Sequence, residues 1–196
     1  MNSILAGTIY IPCHSEYICH NITYLDYEGI SGYTTYQLSL ISMANSNVKN
    51  IYAIYGDSDS TMYIPPAYQL TQPFGCNIGG CDMTYSNYAP TLYDSWLTIG
   101  ITDGDTNHQL STVNIDYNSW SNTEPLIINN GAIFLMDPEK VTCDRECIIA
   151  QLTIPSNTNS NMIINAQGRT NTPLSENIND DNWSVHNIEF PINTGH

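Results

Sequence analysis

A chain of 196 residues that carries 19 acidic and only 4 basic side chains has a formal charge of -15. Phosphate backbones and anionic lipid headgroups are bound through Lys and Arg, so this charge excludes nucleic acid and acidic membrane surfaces and leaves divalent cations, neutral sugars and other proteins. An apolar content of 41% with a charged content of 12% is the composition of a packed β-rich domain, not of a disordered segment, and the length suits one domain over residues 1–196. No stretch is apolar for long enough to span a bilayer.

Residues 1–12 have neither a basic start nor a sustained apolar core and do not read as a signal peptide. A mature domain given a start methionine, or a protein exported by another route or packaged in a particle, is expected instead. Within an N-terminal segment, residues 1–32, a first short strand is expected at 7–11, followed by the doubled pair Cys13-His14 and Cys19-His20. From 33 to 43 the chain alternates, setting Tyr36, Leu38 and Leu40 against Gln37 and Ser39, the period of a half-buried strand. Further strands are expected at 50–55, 61–64, 95–102, 112–117, 131–136, 147–154, 161–167 and 184–190. Turn formers separate them, among them Gly56-Asp57, Pro65-Pro66, Gly79-Gly80, Asp103-Gly104 and Asn129-Asn130-Gly131. About ten strands without an amphipathic helix predict an all-β fold, a two-layer antiparallel sandwich of jelly-roll or immunoglobulin-like type.

The longest weakly patterned segment, residues 65–92, is rich in Pro, Gly, Tyr and Asn. Loops of that length are usually functional when ordered, so this one is the expected binding surface. Tyr63, Tyr68, Tyr85 and Tyr88 lie in or beside it and are the expected contact residues, whereas Trp96 and Trp120, in or ending alternating runs, are expected in the core.

Six cysteines fall in three couples, Cys13 with Cys19, Cys76 with Cys81, and Cys143 with Cys147. An even number grouped in this way points to an oxidising, extracellular setting, although sequence alone does not choose the pairing. Proximity favours the three local bridges. Each closes a short loop worth roughly 2 kcal/mol on the chain-entropy estimate, so they would stiffen loops rather than hold the fold. The alternative is zinc, bound by the Cys-His pairs or by Cys76, Cys81, Cys143 and Cys147 together, but the longer spacings suit a zinc site poorly.

Asp103, Asp105 and Asn107 offer oxygen donors at alternate positions, as a calcium loop begins; His108 then stands where an EF-hand needs glycine, so calcium is expected only in some other loop geometry. Asp57 with Asp59, and Asp180 with Asp181, are further possible donors. Asn21-Ile22-Thr23 and Asn182-Trp183-Ser184 are acceptor sequons for glycosylation. No Gly-x-Ser-x-Gly elbow, His-Glu-x-x-His helix or phosphate loop is present, and only His108 and His186 are placed for general-base work, so an enzyme is not expected.

The runs at 34–38, 54–57, Tyr93-Asp-Ser-Trp-Leu-Thr-Ile-Gly100, Gly131-Ala-Ile-Phe-Leu-Met-Asp-Pro138, 149–153 and Asn165-Ala-Gln-Gly-Arg169 resemble a secreted β-domain of marine bacteria, algae and their large viruses. The resemblance spans roughly residues 33–190 and implies a surface location in water rich in divalent cations; it carries no activity and no site residues. The expected function is that of a structural or adhesive module outside the cell, on a cell surface or on a virion, associating with copies of itself or other proteins. A calcium-assisted carbohydrate-binding module is the alternative.

Overall fold

The computed structural model describes residues 8–9, 13, 15–27, 29–44, 46–85, 87–141, 143, 145–174, 176 and 181–193. The ends of the first expected strand, His14, Asp180 and His196 lie outside the described residues. The strands are β1 (Thr8–Ile9), β2 (Ile18–Tyr27), β3 (Tyr33–Ser42), β4 (Ala53–Gly56), β5 (Met62–Ile64), β6 (Trp96–Leu97), β7 (Leu110–Val113), β8 (Leu126–Ile128), β9 (Gly131–Leu135), β10 (Glu146–Pro155), β11 (Asn159–Arg169) and β12 (Asn182–Asn193). Among the described residues the helical pieces are short 3-10 turns, at Met83–Tyr85, Ala89–Tyr93 and Tyr117–Ser119.

The strands form two antiparallel sheets. One has the order β1-β2-β3-β10-β6; the other runs β7-β9-β4-β11-β5-β8, with β12 on the free side of β11. β4 and β5 share one edge of β11, at Asn165–Gln167 and at Ile163 respectively, while β12 follows the other edge from Arg169↔Asn182 to Asn159↔Asn193. The all-β, antiparallel expectation holds, with more strands than the ten read from sequence.

β2 and β8 were not expected. β8 is only three residues long. β2 was hidden by its own chemistry: His20 and Asn21 sit side by side in it and both are buried, so the polar half of the alternation is missing. Asn21 is held there by donating from Nδ2 to Glu146 at 2.9 Å, and the Ser39 hydroxyl meets the same carboxylate oxygen. The expected strand at 95–102 shrinks to Trp96–Leu97, because Gly100 turns the chain with a φ of 74°.

Apolar faces of both sheets meet in one cluster. Ile22, Leu38, Leu40, Ile149 and Leu152 come from the first sheet, and Ile54, Ile133, Ile164, Phe190 and Ile192 from the second. Trp96 and Trp120 are buried as expected, and the indole Nε1 of Trp120 donates to the carbonyl of Pro65 at 2.9 Å, which fastens the start of the long loop to the core. A buried Thr35–Thr153 hydroxyl pair, 2.8 Å apart, satisfies the polar atoms of the central β3–β10 pair.

Candidate functional site

The outer edge of the five-stranded sheet is β6, and the long loop covers it. Leu97 donates its N–H to Asn77 and its carbonyl accepts from Gly79, both at 2.9 Å, so residues 77–79 finish the edge that β6 would otherwise expose. Gly79 and Gly80, with φ of 77° and 82°, turn the loop there; a Cβ on Gly79 would lie 2.7 Å from Cβ of Asp105 and one on Gly80 would run into the Thr102 carbonyl. Tyr68 donates to the Thr153 carbonyl at 2.7 Å, and Gln151 reaches from β10 to the carbonyls of Leu92 and Asp94 at 3.0 and 2.8 Å.

Asp94 is the anchor. It is fully buried, and its carboxylate accepts from the N–H of Leu70 at 2.8 Å and of Cys76 at 2.6 Å. One side chain therefore satisfies two backbone donors from different turns of the loop. Burial pushes the Asp94 carboxyl up to about 6, against the opposing pull of the Cys76, Leu70 and Ser95 N–H groups. The Cys76–Cys81 bridge closes the same turn, and Sγ of Cys81 lies 3.8 Å from Asp94 Oδ2.

Under this turn lies a cavity of about 460 Å³, walled by Phe74, Tyr85, Tyr117, Gln72, Asn77, Asp82, Gly104 and the bridge. Phe74 is the hub of the aromatic side: its ring lies 5.7 Å from Tyr85, edge on, and 4.8 Å from Tyr88. Phe74, Tyr88 and Leu92 are among the more exposed large apolar residues. Burial raises the Tyr117 phenol, so it stays neutral and can donate. Hydrogen bonds from Thr84 hold Asp82 below the usual carboxylate range, so a fixed negative charge stands at the rim.

The expected contact residues divide. Tyr85 and Tyr88 meet around Phe74. Tyr68 stacks edge on against Tyr33, 5.8 Å away, and burial raises its phenol, assisted by the nearby Tyr88, Asp94 and Tyr33. Tyr63 lies on another sheet altogether, in β5 between Ile163 and Ile127. The long loop and the turn that carries the expected calcium donors come together: Gly104 donates to the Gly79 carbonyl at 2.9 Å, which sets the 103–107 turn against the loop.

Within that turn the three oxygen donors differ in place. Asp103 and Asn107 are exposed, while Asp105, at a φ of 48°, is buried and accepts at Oδ1 from the N–H of Gln109 at 2.7 Å and at Oδ2 from that of Leu110 at 3.0 Å. An ion shared by the three would compete with those two backbone bonds. Asp57 is likewise engaged, accepting from Asp59 and Ser60. Asn182 is exposed at the start of β12, as a glycan acceptor should be; Asn21 is buried with its Nδ2 committed to Glu146, which leaves no room for a glycan on the folded chain. His108 is exposed in its turn, and His186 stands edge on to Tyr55, with Nε2 3.4 Å from the phenol oxygen.

All three local disulfides are formed, Cys13–Cys19, Cys76–Cys81 and Cys143–Cys147, so neither zinc arrangement is the one present. No family model matches the chain, and neither a curated protein nor a solved structure matches it. Asp94, Phe74, Asp82 and Tyr117 went unnoticed in the sequence. In the sequence Asp94 stands only as an aspartate between a long loop and Trp96; its burial is what marks it.

Proposed function

We propose that the protein is an extracellular or particle-surface adhesive module, its two sheets packed as a β-sandwich of jelly-roll or immunoglobulin-like type, with the bridged loop as its contact face for neutral carbohydrate. The observation that carries this reading is the cavity beneath residues 72–82. Its aromatic side chains offer flat apolar faces to a sugar ring, and its amides and phenols offer the hydrogen bonds that hydroxyl groups require. No Lys or Arg lines it, and Asp82 adds negative charge, which disfavours anionic ligands. Three disulfides and the absence, among the described residues, of any helix long and apolar enough to cross a membrane accord with a secreted location. Because Asp105 is held by its own backbone, we assign the contact to the aromatic and amide groups rather than to calcium.

A glycan array of neutral saccharides tests it. Binding that is lost in Tyr85→Ala and Phe74→Ala and survives chelator is the expected result; no binding by the wild type defeats the carbohydrate reading, and loss with chelator restores calcium to it. A second reading, self-association, has one observation in its favour: among the described residues β12 pairs as a strand only with β11, which leaves its other edge without a ladder. Light scattering across a concentration series separates the two, since only an assembling module gains mass.

A further inference from the structure

We propose that the Cys76–Cys81 bridge is a thiol–disulfide exchange centre in which Asp94 hands a proton to, and takes it back from, the Cys81 sulfur. The three bridges are not equivalent. Cys19 and Cys147 are buried, 4% and 1% exposed, and Cys143 packs against the core cluster beside Cys147. Cys76 and Cys81 both line the cavity beneath the loop, with Phe74 and Tyr85, and Cys76 is half-buried; Cys19 lines a cavity too, but among the described residues only the Cys76–Cys81 pair has a carboxylate within 4.8 Å of both sulfurs. Access to the attacked sulfur is the first requirement for exchange.

The second requirement is a group that manages the charge on the departing sulfur. Asp94 Oδ2 lies 3.8 Å from Cys81 Sγ, and one ligand atom each of Cys76, Cys81 and Asp94 falls within 4.8 Å of the others. Among the described residues, those two sulfurs and one carboxylate are the group of three His, Cys, Asp or Glu side chains whose ligand atoms come this close together. No cation neutralises it: the ion pairs of the described residues are Lys49–Glu139, Lys140–Asp137 and Arg169–Asp181, all elsewhere. The titratable neighbours are Tyr68, whose phenol feels the Asp94 charge, and Asp82, which lines a small cavity with Cys81. A buried carboxylate without a cation holds its proton to higher pH than usual, here to about 6, so it can act as an acid near neutrality.

The step balances as follows. The thiolate of a small or protein dithiol attacks Sγ of Cys76; the Cys76–Cys81 bond breaks as the new mixed disulfide forms. The electron pair leaves on Cys81, which takes the proton of the Asp94 carboxylic acid, leaving a carboxylate. The second thiol of the reductant, as thiolate, attacks its own sulfur in the mixed disulfide and expels Cys76 as thiolate. The bridge is thereby reduced by two electrons and the dithiol is oxidised to its disulfide. In the reverse direction the carboxylate removes the Cys81 proton. The exchange does not depend on what the loop binds.

Timed reduction of the native protein with dithiothreitol, quenched by alkylation and mapped by mass spectrometry, tests the proposal. Cys76 and Cys81 should be labelled first, well ahead of the other four cysteines. In Asp94→Asn, which has no proton to give, the rate should fall at least about tenfold, less than positioned proton transfer usually contributes because a thiolate is already a fair leaving group. In the wild type, the rate corrected for the thiolate fraction of the reagent should fall as pH rises through about 6. This second readout needs no variant and stands even where Asp94→Asn fails to fold. Comparable labelling of all three bridges, or a corrected rate flat with pH, would overturn the proposal.

Discussion

β10 and the loop laid beside it satisfy their backbones in opposite ways. β10 is paired along its length, with β3 from Pro155↔Tyr33 to Glu146↔Ile41 and with β6 at Ala150 and Gln151. Its hydrogen bonds are many, interrupted only by a register shift between Ile148 and Ala150, so the loss of one is shared by its neighbours. The loop from 65 to 94 has no such ladder. It is fastened at separate points: Ala67 to Ser121, Tyr68 to Thr153, residues 77–79 to Leu97, and Leu70 and Cys76 to the single carboxylate of Asp94. A region held in this way depends on individual side chains, and the chain can present aromatic groups there without disturbing the sheets.

That contrast can be broken from the sheet side first. Phe190 is fully buried in the shared cluster, and Phe190→Ala should remove about 3–5 kcal/mol, read as a lower urea midpoint with sheet and loop probes moving together. The next effect is a pH dependence belonging to the loop. The Asp94 carboxyl is raised from 3.8 to about 6 in the folded chain, so the folded state binds its proton more tightly than the unfolded state does. Its contribution to stability is present in full below the unfolded value and is lost as pH rises through about 6, an effect of roughly 3 kcal/mol at about 1.4 kcal/mol per unit. The wild type should therefore melt higher at pH 5 than at pH 7.5, and the difference should shrink in Asp94→Asn. Equal differences in the two proteins would remove Asp94 as the titrating group.

Replacing Cys76 and Cys81 together by Ser should cost about 2 kcal/mol or less, since the bridge closes so short a loop, and thermal unfolding of the variant checks it. The smallest effect is expected at the sequons. In a glycosylating host, mass spectrometry should find a glycan on Asn182 and none on Asn21, and Asn182→Gln should change stability by less than about 0.5 kcal/mol.

β3 was legible because its hydrophobicity alternates, Tyr36, Leu38 and Leu40 against Gln37 and Ser39, although its burial does not: Thr34, Thr35 and Ser39 are buried as well. β2 has no such alternation in its sequence: His20 and Asn21 stand next to each other and both are buried, with Glu146 reaching across from β10 to satisfy Asn21. Such compensation comes from 125 positions away and leaves no local mark. The disulfides were favoured by the proximity of their cysteines, although spacing left the pairing and a zinc alternative open. The candidate site was only half legible: the loop was visible as an unpatterned stretch, and Tyr85 and Tyr88 with it, but Phe74 had no neighbour in sequence to suggest an aromatic cluster. Asp94 looked like any turn aspartate. What distinguishes it is burial, and burial depends on how the loop closes over β6. The same holds for Asp105, which resembled a calcium donor by spacing yet holds the start of β7 through Gln109 and Leu110.

Amide hydrogen exchange at Leu70 and Cys76 addresses the role of Asp94 most directly. Both N–H groups should be protected to a degree comparable with the β10 ladder in the wild type and exchange rapidly in Asp94→Ala, while β10 itself is unchanged. Fast exchange of these two amides in the wild type, or protection that persists without the carboxylate, would contradict Asp94 as the fastening of Leu70 and Cys76.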